Sequence, residues 1–540
     1  MKKVILSFVH GNLITEKIAS RLMIVNEYWK YMRNCMPEVN IILGPPGTGK
    51  TENLLRIVER ELKNGTDPSA IAFVSFTTKA TDEARNRAKI KFNLTNDDLP
   101  YFSTLHAFGK RQLGMTHAEV MDAYDYKTFS EDYGVDMNFV SQDWDDTGII
   151  TTDNKFLKII NKARVKKMEV LEFYNKYNVD VAWRELSRAY RSLEDYKKKN
   201  YKHDFTDMLS TYIESGPVPK LDVVIIDEAQ DLNNLQWDMA EKMWANAKRV
   251  YISGDDDQAI FRWAGADVEH LIKMPGKVEV LKESHRCPQS VHKIAVNISS
   301  RIQNRREKEW HPRDYKGVLK FHAYPEAVNV REGNWLVLAT CKYMFKEIEN
   351  DLRIQGLPYK KNNKMAIKKE LLNAVDAWNR LHEAKDVSYK DVTDIYGHLT
   401  SQTGVARGYK NLKSFEGEKK EEQSYNIEEL VEHHGLLKTS VPWDVAFEKI
   451  GNRDREYLQA LERFNPENLT ADPLINLSTV HVAKGGECDN VMMFTDISRA
   501  NRDEMEKDSD DTNRVFYVGV TRAKKELHII QPQQERGFII

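Results

Sequence analysis

A glycine-rich segment at residues 44–51, which reads G-P-P-G-T-G-K-T, contains the residue types that bind phosphate. It follows the apolar residues 40–43 and precedes a helical pattern at 54–58. Glycines let backbone N–H groups close around phosphate oxygens at the start of a helix, the lysine reaches the β- and γ-phosphates, and the last hydroxyl binds Mg²⁺. The segment therefore predicts a nucleotide site lined by Gly44, Pro45, Pro46, Gly47, Thr48, Gly49, Lys50 and Thr51.

Two adjacent carboxylates, Asp227 and Glu228, supply the second part of this chemistry. They end the apolar run 223–226, so we expect them at the end of a buried strand. Asp227 is predicted to hold Mg²⁺ together with Thr51, and Glu228 is predicted to polarise the attacking water as a general base. The two segments together predict nucleotide hydrolysis, but they do not choose among a kinase, a GTPase, a switch and a motor.

The elements that must position these residues are short apolar strands that alternate with helical patterns. Such strands occur early and again late in the chain, and charged helical stretches lie between them. This order is typical of parallel α/β sheets. We therefore predict an α/β fold with two cores, each with a mainly helical insertion. The first core is expected at 1–112 and 200–280 with its insertion at 113–199, and the second at 281–345 and 466–540 with its insertion at 346–465.

The composition restricts the class of protein. The 540 residues carry 80 Lys and Arg against 82 Asp and Glu, a net charge of −2, so no general basic field indicates nucleic acid. The four cysteines form no C-x-x-C pair, which argues against a disulfide framework and a structural zinc site. No apolar run approaches the roughly 18 residues that span a bilayer, and residues 4–9 predict a strand rather than a signal peptide. We expect a soluble protein of a reducing compartment, with no membrane partner.

Three short basic clusters are the remaining charge feature. They lie at 197–199, 301–308 and 360–369. Runs of like charge on helical patterns are usually solvated faces, so we expect these clusters in water rather than on phosphates. Any nucleic-acid site must therefore be local.

The most specific segment is residues 254–263, which read G-D-D-D-Q-A-I-F-R-W. Together with the glycine-rich segment, D-E-A-Q-D at 227–231, T-V-H-V-A-K-G-G-E at 479–487 and Y-V-G-V-T-R-A at 517–523, it resembles the superfamily 1A DNA helicases of the Rep/UvrD/PcrA type. These motifs run from 44 to 525 in that family's order. The resemblance implies two RecA-like P-loop NTPase cores, with ATP in the cleft between them and single-stranded DNA across both.

The resemblance also implies roles for single residues of the first core. Gln258 would sense the γ-phosphate, and the aromatic rings of Phe261 and Trp263 would stack on bases. Base stacking on aromatic side chains is indifferent to sequence, which reconciles DNA binding with a net charge near zero. The other residues of the single-strand path would be Phe76, Thr77, His106, Thr479 and His481.

In the second core, the resemblance implies two arginine fingers, Arg286 and Arg522. His285 stands where the family places a tyrosine that stacks on adenine, and Glu487 would contact the sugar of the nucleotide. Two arginines delivered from a separate domain make stabilisation of the transition-state charge depend on closure of the cleft.

The sequence departs from the family pattern at the adenine site. Residues 1–43 contain no glutamine to read adenine, and Asn26 is a weak substitute. Ala264 stands where the family usually has an arginine after the tryptophan, and the second insertion is shorter than usual. These departures leave the base selectivity of the nucleotide site open.

The combined motifs predict a translocase and DNA helicase that uses ATP and Mg²⁺, moves 3′ to 5′ on single-stranded DNA and acts at junctions of single- and double-stranded DNA. Its expected partners include replication or repair accessory proteins. Its expected location is the cytoplasm, in association with the nucleoid, or the cytoplasm of the host if the protein is viral. Three alternatives remain: a nucleotide-switched clamp on nucleic acid, a translocase that displaces proteins without processive unwinding, and a superfamily 1B or RNA-directed motor. A fused nuclease is not expected, because little chain follows residue 525.

Overall fold

The computed structural model of the protein describes residues 37–137, 154–177, 179–415, 423–464, 469–506, 508–533 and 537–540. The strand predicted at residues 4–9 and the adenine-reading candidate Asn26 lie outside these residues. The chain forms two compact units. Unit 1 comprises the chain up to His285 together with Gln303–His311, and unit 2 comprises Arg286–Ile302 and Pro312–Ile540.

Unit 1 is built around a parallel sheet. Its strands are β1 (Glu38–Leu43), β2 (Ile71–Val74), β3 (Phe102–Ser103), β4 (Val223–Ile226), β5 (Arg249–Gly254) and β6 (Lys277–Val280). Their order across the sheet is β3-β2-β4-β5-β1-β6, with parallel pairing between these neighbours. β2 and β4 are buried along their whole length, which explains their uninterrupted apolar runs.

Helices surround this sheet and also form a separate cluster. They are α1 (Lys50–Lys63), α2 (Thr78–Phe92), α3 (Leu105–Gln112), α4 (Ala123–Tyr133), α5 (Lys155–Val165), α6 (Val170–Lys176), α7 (Trp183–Asn200), α8 (Phe205–Ser215), α9 (Asn234–Met243) and α10 (Val268–Lys273). Alternate residues of the strands face two apolar cores, with Ile226 on one face of the sheet and Ile225 on the other. α4 to α7 pack around a core of their own that includes Phe129 and Leu193.

A buried ion network connects that helical cluster to α8. Arg164 on α5 lies 2.6 Å from Asp204, and Lys197 Nζ on α7 lies 2.9 Å from Asp204 and 2.8 Å from Asp207. The side chain of Lys197 is only 4% exposed. The expectation of a solvated basic cluster at 197–199 is therefore wrong for Lys197, because two carboxylates at the start of α8 bind its ammonium group.

The carboxyl ends of β4, β5 and β1 lie side by side at one edge of the sheet of unit 1. The backbone N–H of Gly44 donates to Gly254 O at 3.0 Å, and the N–H of Asp227 donates to Val74 O at 2.8 Å. The residues that directly follow these strands are therefore brought together. They include the glycine-rich segment, the carboxylates at 227 and 228, and Asp255.

Unit 2 contains a second sheet. Its strands are β7 (Val318–His322), β8 (Trp335–Ala339), β9 (Tyr359–Lys361), β10 (Lys364–Met365), β13 (Ile475–Thr479), β14 (Cys488–Phe494) and β15 (Ala523–Ile530). The order is β10-β9-β13-β8-β14-β15-β7. β10 pairs with β9 in the antiparallel sense, and the other neighbours pair in the parallel sense. A separate two-stranded ladder joins β11 (Val387–Ser388) to β12 (Ser424–Tyr425).

The helices of unit 2 pack on this sheet and on one another. They are α11 (Gln289–Ser299), α12 (Lys346–Ile354), α13 (Lys369–His382), α14 (Tyr389–His398), α15 (Ile427–Glu432), α16 (Trp443–Ala446), α17 (Asn452–Phe464), α18 (Arg499–Met505) and α19 (Asp510–Val520). A continuous apolar core runs from strand residues such as Val337 to helical residues such as Trp378 and Leu458.

The predicted fold class is confirmed: the protein has two α/β cores with mainly parallel sheets, and each core is interrupted by a mainly helical segment. The residue boundaries given for the domains stay a prediction. Within the described residues, none of the helices combines the length and the apolar composition that crossing a bilayer requires.

Candidate functional site

The glycine-rich segment forms a tight loop between β1 and α1. Lys50 folds back across it, and its Nζ donates to Gly44 O at 2.9 Å. A Cβ atom at Gly44 would lie 2.0 Å from Lys50 Cγ, so a larger residue there would push the lysine out of the loop. Thr48 Oγ1 closes the loop by donating to Pro45 O at 2.8 Å. The loop therefore places an ammonium group and the N-terminus of a 14-residue helix at one point, which suits a phosphate group.

The two residues predicted to hold Mg²⁺ are in direct contact although they are far apart in the chain. Thr51 Oγ1 donates to Asp227 Oδ2 at 3.0 Å, and Asp227 is 1% exposed. Burial and the neighbouring charge of Glu228 raise the pKa of Asp227 to about 7, and Lys50 offsets only part of this. A divalent cation would favour the ionised carboxylate, and hydroxyl and carboxylate oxygens are the ligands that Mg²⁺ prefers. Thr51 and Asp227 therefore fit this ion.

Glu228 is held in an unusual backbone conformation. Its φ is 54°, in the left-handed region that residues other than glycine rarely adopt. Such strain persists only where surrounding contacts fix it, and here the backbone N–H of Glu228 donates to Asp227 Oδ1 at 2.9 Å while Gln230 Nε2 donates to Glu228 Oε2 at 2.5 Å. The carboxylate predicted as the general base thus has a defined direction.

Gln230 also contacts the segment predicted to sense the γ-phosphate. Its Oε1 accepts from the backbone N–H of Asp255 at 2.9 Å, and Asp255 Oδ2 accepts from Gln258 Nε2 at 2.7 Å. Gln230 and Asp255 are each 0% exposed. A continuous run of hydrogen bonds therefore links Glu228 to Gln258. The sequence analysis included Gln230 only as part of the D-E-A-Q-D motif, and its position between the Glu228 carboxylate and the backbone N–H of Asp255 comes from the structure.

The aromatic residues predicted to stack on bases follow Gln258 directly. The ring of Phe261 lies 5.6 Å from that of Phe76, which is 6% exposed and belongs to the apolar core. Trp263 is 47% exposed, so it is not ordinary core packing. The exposed indole of Trp263 and the half-buried ring of Phe261 are each suited to stacking on a base.

The other candidates for the single-strand path in unit 1 have local structural contacts. Thr77 caps α2, since its Oγ1 accepts from Ala80 N at 3.3 Å. His106 is 8% exposed, its ring packs edge-on against Phe205 at 5.3 Å, and burial lowers its pKa to about 4. DNA contact by Phe76, Thr77 and His106 stays a prediction.

His285 lies against the glycine-rich loop. Its backbone N–H donates to Gly47 O at 2.8 Å, and Ser284 Oγ donates to Pro46 O at 2.8 Å. The imidazole is exposed, so a base could stack on it. The sequence did not point to Ser284, although its position next to His285 was a usable signal.

In unit 2, Arg286, Glu487 and Arg522 lie in one group. Arg286 Nε donates to Glu487 Oε2 at 2.7 Å. Burial raises the pKa of Glu487, but Arg286 and Lys524 together outweigh burial, so the pKa is lowered. Arg522 is 1% exposed, and its guanidinium donates to Val518 O at 2.9 Å and to Gly486 O at 3.0 Å. Both predicted arginine fingers therefore sit in fixed positions within their own unit.

The two remaining candidates of unit 2 lie next to this group in the chain. Thr479 ends β13 and is 9% exposed, and its N–H donates to Asn362 Oδ1 at 3.2 Å. His481 is half-buried. Their role as DNA contacts stays a prediction.

The basic cluster at 301–308 does not form a solvated helix face, so that expectation is wrong. No helix occurs between α11 and β7 in the described residues, and the side chain of Lys308 is 1% exposed. Its ammonium group lies 2.6 Å from Asp256 Oδ1. The signal was present in the three consecutive aspartates 255–257, whose burial needs nearby cations.

Comparison with known proteins places both units in one family. A model described as the UvrD/REP helicase N-terminal domain matches residues 25–279, and one described as the UvrD-like helicase C-terminal domain matches residues 474–530. Together the two matches cover more than half of the chain.

Relatives with similar sequences carry helicase names. The chain is 26% identical to the "Probable DNA helicase II homolog" of Mycoplasma genitalium, over 52% of this chain and 43% of that protein. It is 23% identical to "ATP-dependent DNA helicase PcrA" of Bacillus subtilis, over 66% of this chain and 50% of that protein. For the "Probable DNA helicase II homolog" of Mycoplasma pneumoniae, the identity is 23% over 94% of this chain and 84% of that protein. The chain thus spans about half the length of the first two relatives. The resemblance read from the motifs is confirmed: the chain belongs to the UvrD/REP family of helicases.

Proposed function

We propose that the protein hydrolyses ATP with Mg²⁺ in order to move 3′ to 5′ along single-stranded DNA and to unwind DNA at junctions of single and double strands. The observation that carries this proposal is the run of hydrogen bonds from Glu228 through Gln230 and Asp255 to Gln258. It joins the carboxylate beside the nucleotide loop to the loop that presents Phe261 and Trp263. A nucleotide switch that only binds would not need an activated water connected to a stacking platform.

The residues of unit 1 account for binding and water activation. Lys50 and the N–H groups at the start of α1 hold the phosphates, and Mg²⁺ held by Thr51 and Asp227 would neutralise charge on the phosphate oxygens. Glu228 orients the attacking water and accepts its proton while the bond between the β,γ-bridging oxygen and the γ-phosphorus breaks. The products are ADP and inorganic phosphate.

Two arginines of unit 2 supply the remaining charge in this proposal. Arg286 and Arg522 act on the γ-phosphoryl group as the leaving oxygen gains charge, which makes hydrolysis depend on both units. Glu487 holds Arg286 in the structure at 2.7 Å, and it would exchange this contact for one with the nucleotide. Hydrolysis then changes the grip of each unit on DNA.

The polarity rests on family membership. Direction depends on which unit tightens on DNA when ATP is bound, and this does not follow from the geometry of either unit. The 3′ to 5′ direction is that of the group named by the resemblance. Contacts with replication or repair accessory proteins, and a location in the cytoplasm or with the nucleoid, belong to the same proposal.

Strand displacement on duplexes with either a 3′ or a 5′ single-stranded tail tests the proposal. ATP and Mg²⁺ are present, the Lys50→Ala variant is the control, and ATPase is measured with and without single-stranded DNA. Unwinding from the 3′ tail alone supports the proposal, and unwinding from the 5′ tail alone contradicts the polarity. Stimulated ATPase with directional movement but no strand displacement favours a translocase that displaces proteins. Nucleotide-dependent DNA binding without turnover favours a clamp.

A further inference from the structure

The segment Gln303–His311, here called the strap, belongs to unit 1 although it lies between α11 and β7 of unit 2 in the chain. It carries the basic residues Arg305, Arg306 and Lys308. The strap contacts residues 255–257 of the candidate nucleotide site directly, and it reaches the glycine-rich loop through Ser284.

Lys308, in the middle of the strap, binds three consecutive carboxylates. Its Nζ lies 3.4 Å from Asp255 Oδ1, 2.6 Å from Asp256 Oδ1 and 3.0 Å from Asp257 Oδ2. The side chains of all four residues are no more than 1% exposed. Arg305 adds a two-pronged contact, with Nε 2.8 Å from Asp257 Oδ1 and Nη2 2.6 Å from Asp257 Oδ2.

These cations are needed because the carboxylates are out of water. Burial raises the pKa of Asp257 to about 6, and Lys308 holds it below the value that burial and the other two aspartates would give. Burial lowers the pKa of Lys308, but the three carboxylates outweigh burial and raise it. A buried carboxylate that loses its partner either takes up a proton or moves toward water. The ions therefore fix the backbone of residues 255–257.

Asp255 connects this ion cluster to Gln258. One of its carboxylate oxygens faces Lys308, and the other accepts from Gln258 Nε2 at 2.7 Å. Arg306 holds the same loop through its backbone N–H, which donates to Asp256 Oδ2 at 2.7 Å. Its guanidinium is fixed at the end of α10, where it donates to Ile272 O at 2.8 Å and to Met274 O at 2.9 Å. The position of Gln258 is thus set by strap residues about 50 positions later in the chain.

The last residue of the strap, His311, contacts the chain before His285. The N–H of His311 donates to Lys282 O at 2.7 Å, and the N–H of Ser284 donates to His311 O at 2.9 Å. Ser284 Oγ in turn donates to Pro46 O in the glycine-rich loop. One nine-residue segment therefore holds the loop of Gln258 and, through Ser284, the phosphate loop.

We infer that Lys308, through Asp255, and Arg305, through Asp257, are positioning residues of the nucleotide site. They hold Gln258 and keep the loop at 255–258 in place relative to the glycine-rich loop. The inference rests on the proposed function for the role of Gln258. The buried positive and negative charges balance each other. Removal of one cation should therefore lower the ATPase rate, and removal of one of the matching carboxylate charges as well should restore most of that rate.

The test compares Lys308→Gln, Arg305→Gln and the double variant Lys308→Gln/Asp256→Asn with wild type. Lys273→Gln is the matched control, since Lys273 is 75% exposed and pairs with Glu269 on its own helix. The amide oxygen left by Asp256→Asn can still accept from the N–H of Arg306. Steady-state ATPase with single-stranded DNA is measured against ATP concentration, and amide hydrogen exchange of residues 255–263 is measured without nucleotide. Circular dichroism establishes that each variant is folded.

The expected result for Lys308→Gln is a kcat about 10- to 100-fold lower, a KM for ATP changed less than about threefold, and faster exchange at 255–263. Arg305→Gln should act in the same direction and more weakly. The double variant should recover most of kcat, as expected for coupled charges. Additive losses in the double variant, or a kcat for both single variants within about twofold of Lys273→Gln, would overturn the inference.

The failure of the proposed function is distinguishable from failure of this inference. If wild type shows no ATPase stimulated by DNA, the proposed function is wrong. Amide exchange alone then tests whether Lys308 and Arg305 hold the loop at 255–263. Unchanged exchange at 255–263 in both Lys308→Gln and Arg305→Gln overturns the inference, whereas faster exchange that the double variant reverses supports it. If Lys308→Gln does not fold, Arg305→Gln gives the decision.

Discussion

The side chain of Gln230 accepts a hydrogen bond of 2.9 Å from the backbone N–H of Asp255. This contact joins the turn after β4 to the turn after β5, and no solvent reaches either residue. A Cβ atom at Gly254 would lie 2.6 Å from Gln230 Oε1, so only glycine at that position leaves room for the contact. Because Gln230 Nε2 donates to Glu228 at the same time, we expect a shift of the turn after β5 to reorient Glu228, the proposed general base.

The first prediction follows from this contact. Gln230→Ala removes both hydrogen bonds, so ATP hydrolysis should no longer respond to DNA. We expect stimulation by single-stranded DNA to fall about tenfold or more, and basal ATPase to fall as well, because Glu228 loses the donor that orients it. ATPase assays with and without DNA measure this, and the exposed Gln289→Ala is the control. Full stimulation in Gln230→Ala would show that coupling takes another route.

The second prediction separates binding from water activation. Glu228→Gln keeps a side chain that Gln230 can still contact but removes the base, so turnover should fall roughly 10²- to 10⁴-fold with little change in ATP affinity. Lys50→Ala should lower affinity as well, since it removes the cation of the phosphate loop. Filter binding of ATP and steady-state ATPase distinguish the two losses. Glu241→Gln, whose side chain is 48% exposed, should behave like wild type, and near-normal turnover in Glu228→Gln would reject the general base.

The sequence predicted those site residues whose role is marked by a short local motif, but it did not predict residues whose contacts lie elsewhere in the chain. The glycine-rich loop and the carboxylates after β4 were readable because each is a short pattern beside a strand. Lys308 and Lys197 were wrongly expected to be solvated, because a run of like charge does not reveal the carboxylates that bind it. The partner of Lys308 lies about 50 positions earlier in the chain, and the partners of Lys197 lie 7 to 10 positions later. Burial of His106 was equally hidden, because α8 covers its ring only in the folded unit.

The third prediction concerns the arginines of unit 2. Arg522→Ala and Arg286→Ala should each lower DNA-stimulated ATPase roughly 10²-fold or more, because in the proposed function each arginine supplies positive charge to the transition state. Each variant should weaken DNA binding far less. Arg522→Lys keeps the charge but not its contacts with Val518 O and Gly486 O, so an intermediate rate is expected. Arg331→Ala, an exposed arginine of the same unit, is the control. Normal stimulated turnover in Arg522→Ala would remove the dependence of hydrolysis on both units.

The fourth prediction is a pH dependence of stability. Burial lowers the pKa of His106 to about 4 from its usual 6.5, so the folded chain binds fewer protons there than the unfolded chain. The stabilisation is complete above pH 6.5 and is lost as the pH falls toward 4. Between pH 7 and pH 5, unit 1 of wild type should lose about 2 kcal/mol more than a His106→Phe variant. Hydrogen exchange of β2 and β4 amides reports this loss for unit 1 alone.

The exposed His117 provides the control for that measurement, since His117→Gln should leave the pH dependence of exchange as it is in wild type. If His106→Phe and wild type lost protection in parallel from pH 7 to pH 5, the imidazole would not be buried in its neutral form. The same variant also tests the DNA contact predicted for His106, because unchanged affinity for single-stranded DNA would restrict that residue to packing against Phe205.

The last prediction concerns Trp263, which is 47% exposed in the loop that begins with Asp255. Trp263→Ala removes a stacking platform worth roughly 1–3 kcal/mol, so the Kd for single-stranded DNA should rise about 5- to 150-fold while basal ATPase remains. Trp263→Phe keeps a smaller aromatic ring, so its Kd for single-stranded DNA should lie between those of wild type and Trp263→Ala. Tyr124→Ala is the matched control, because Tyr124 is 75% exposed on α4, away from this loop in the chain. Fluorescence anisotropy with a labelled oligonucleotide measures the Kd. Unchanged affinity in Trp263→Ala would assign DNA stacking to other side chains, whereas loss of basal ATPase would show that the indole holds the Gln258 loop rather than DNA.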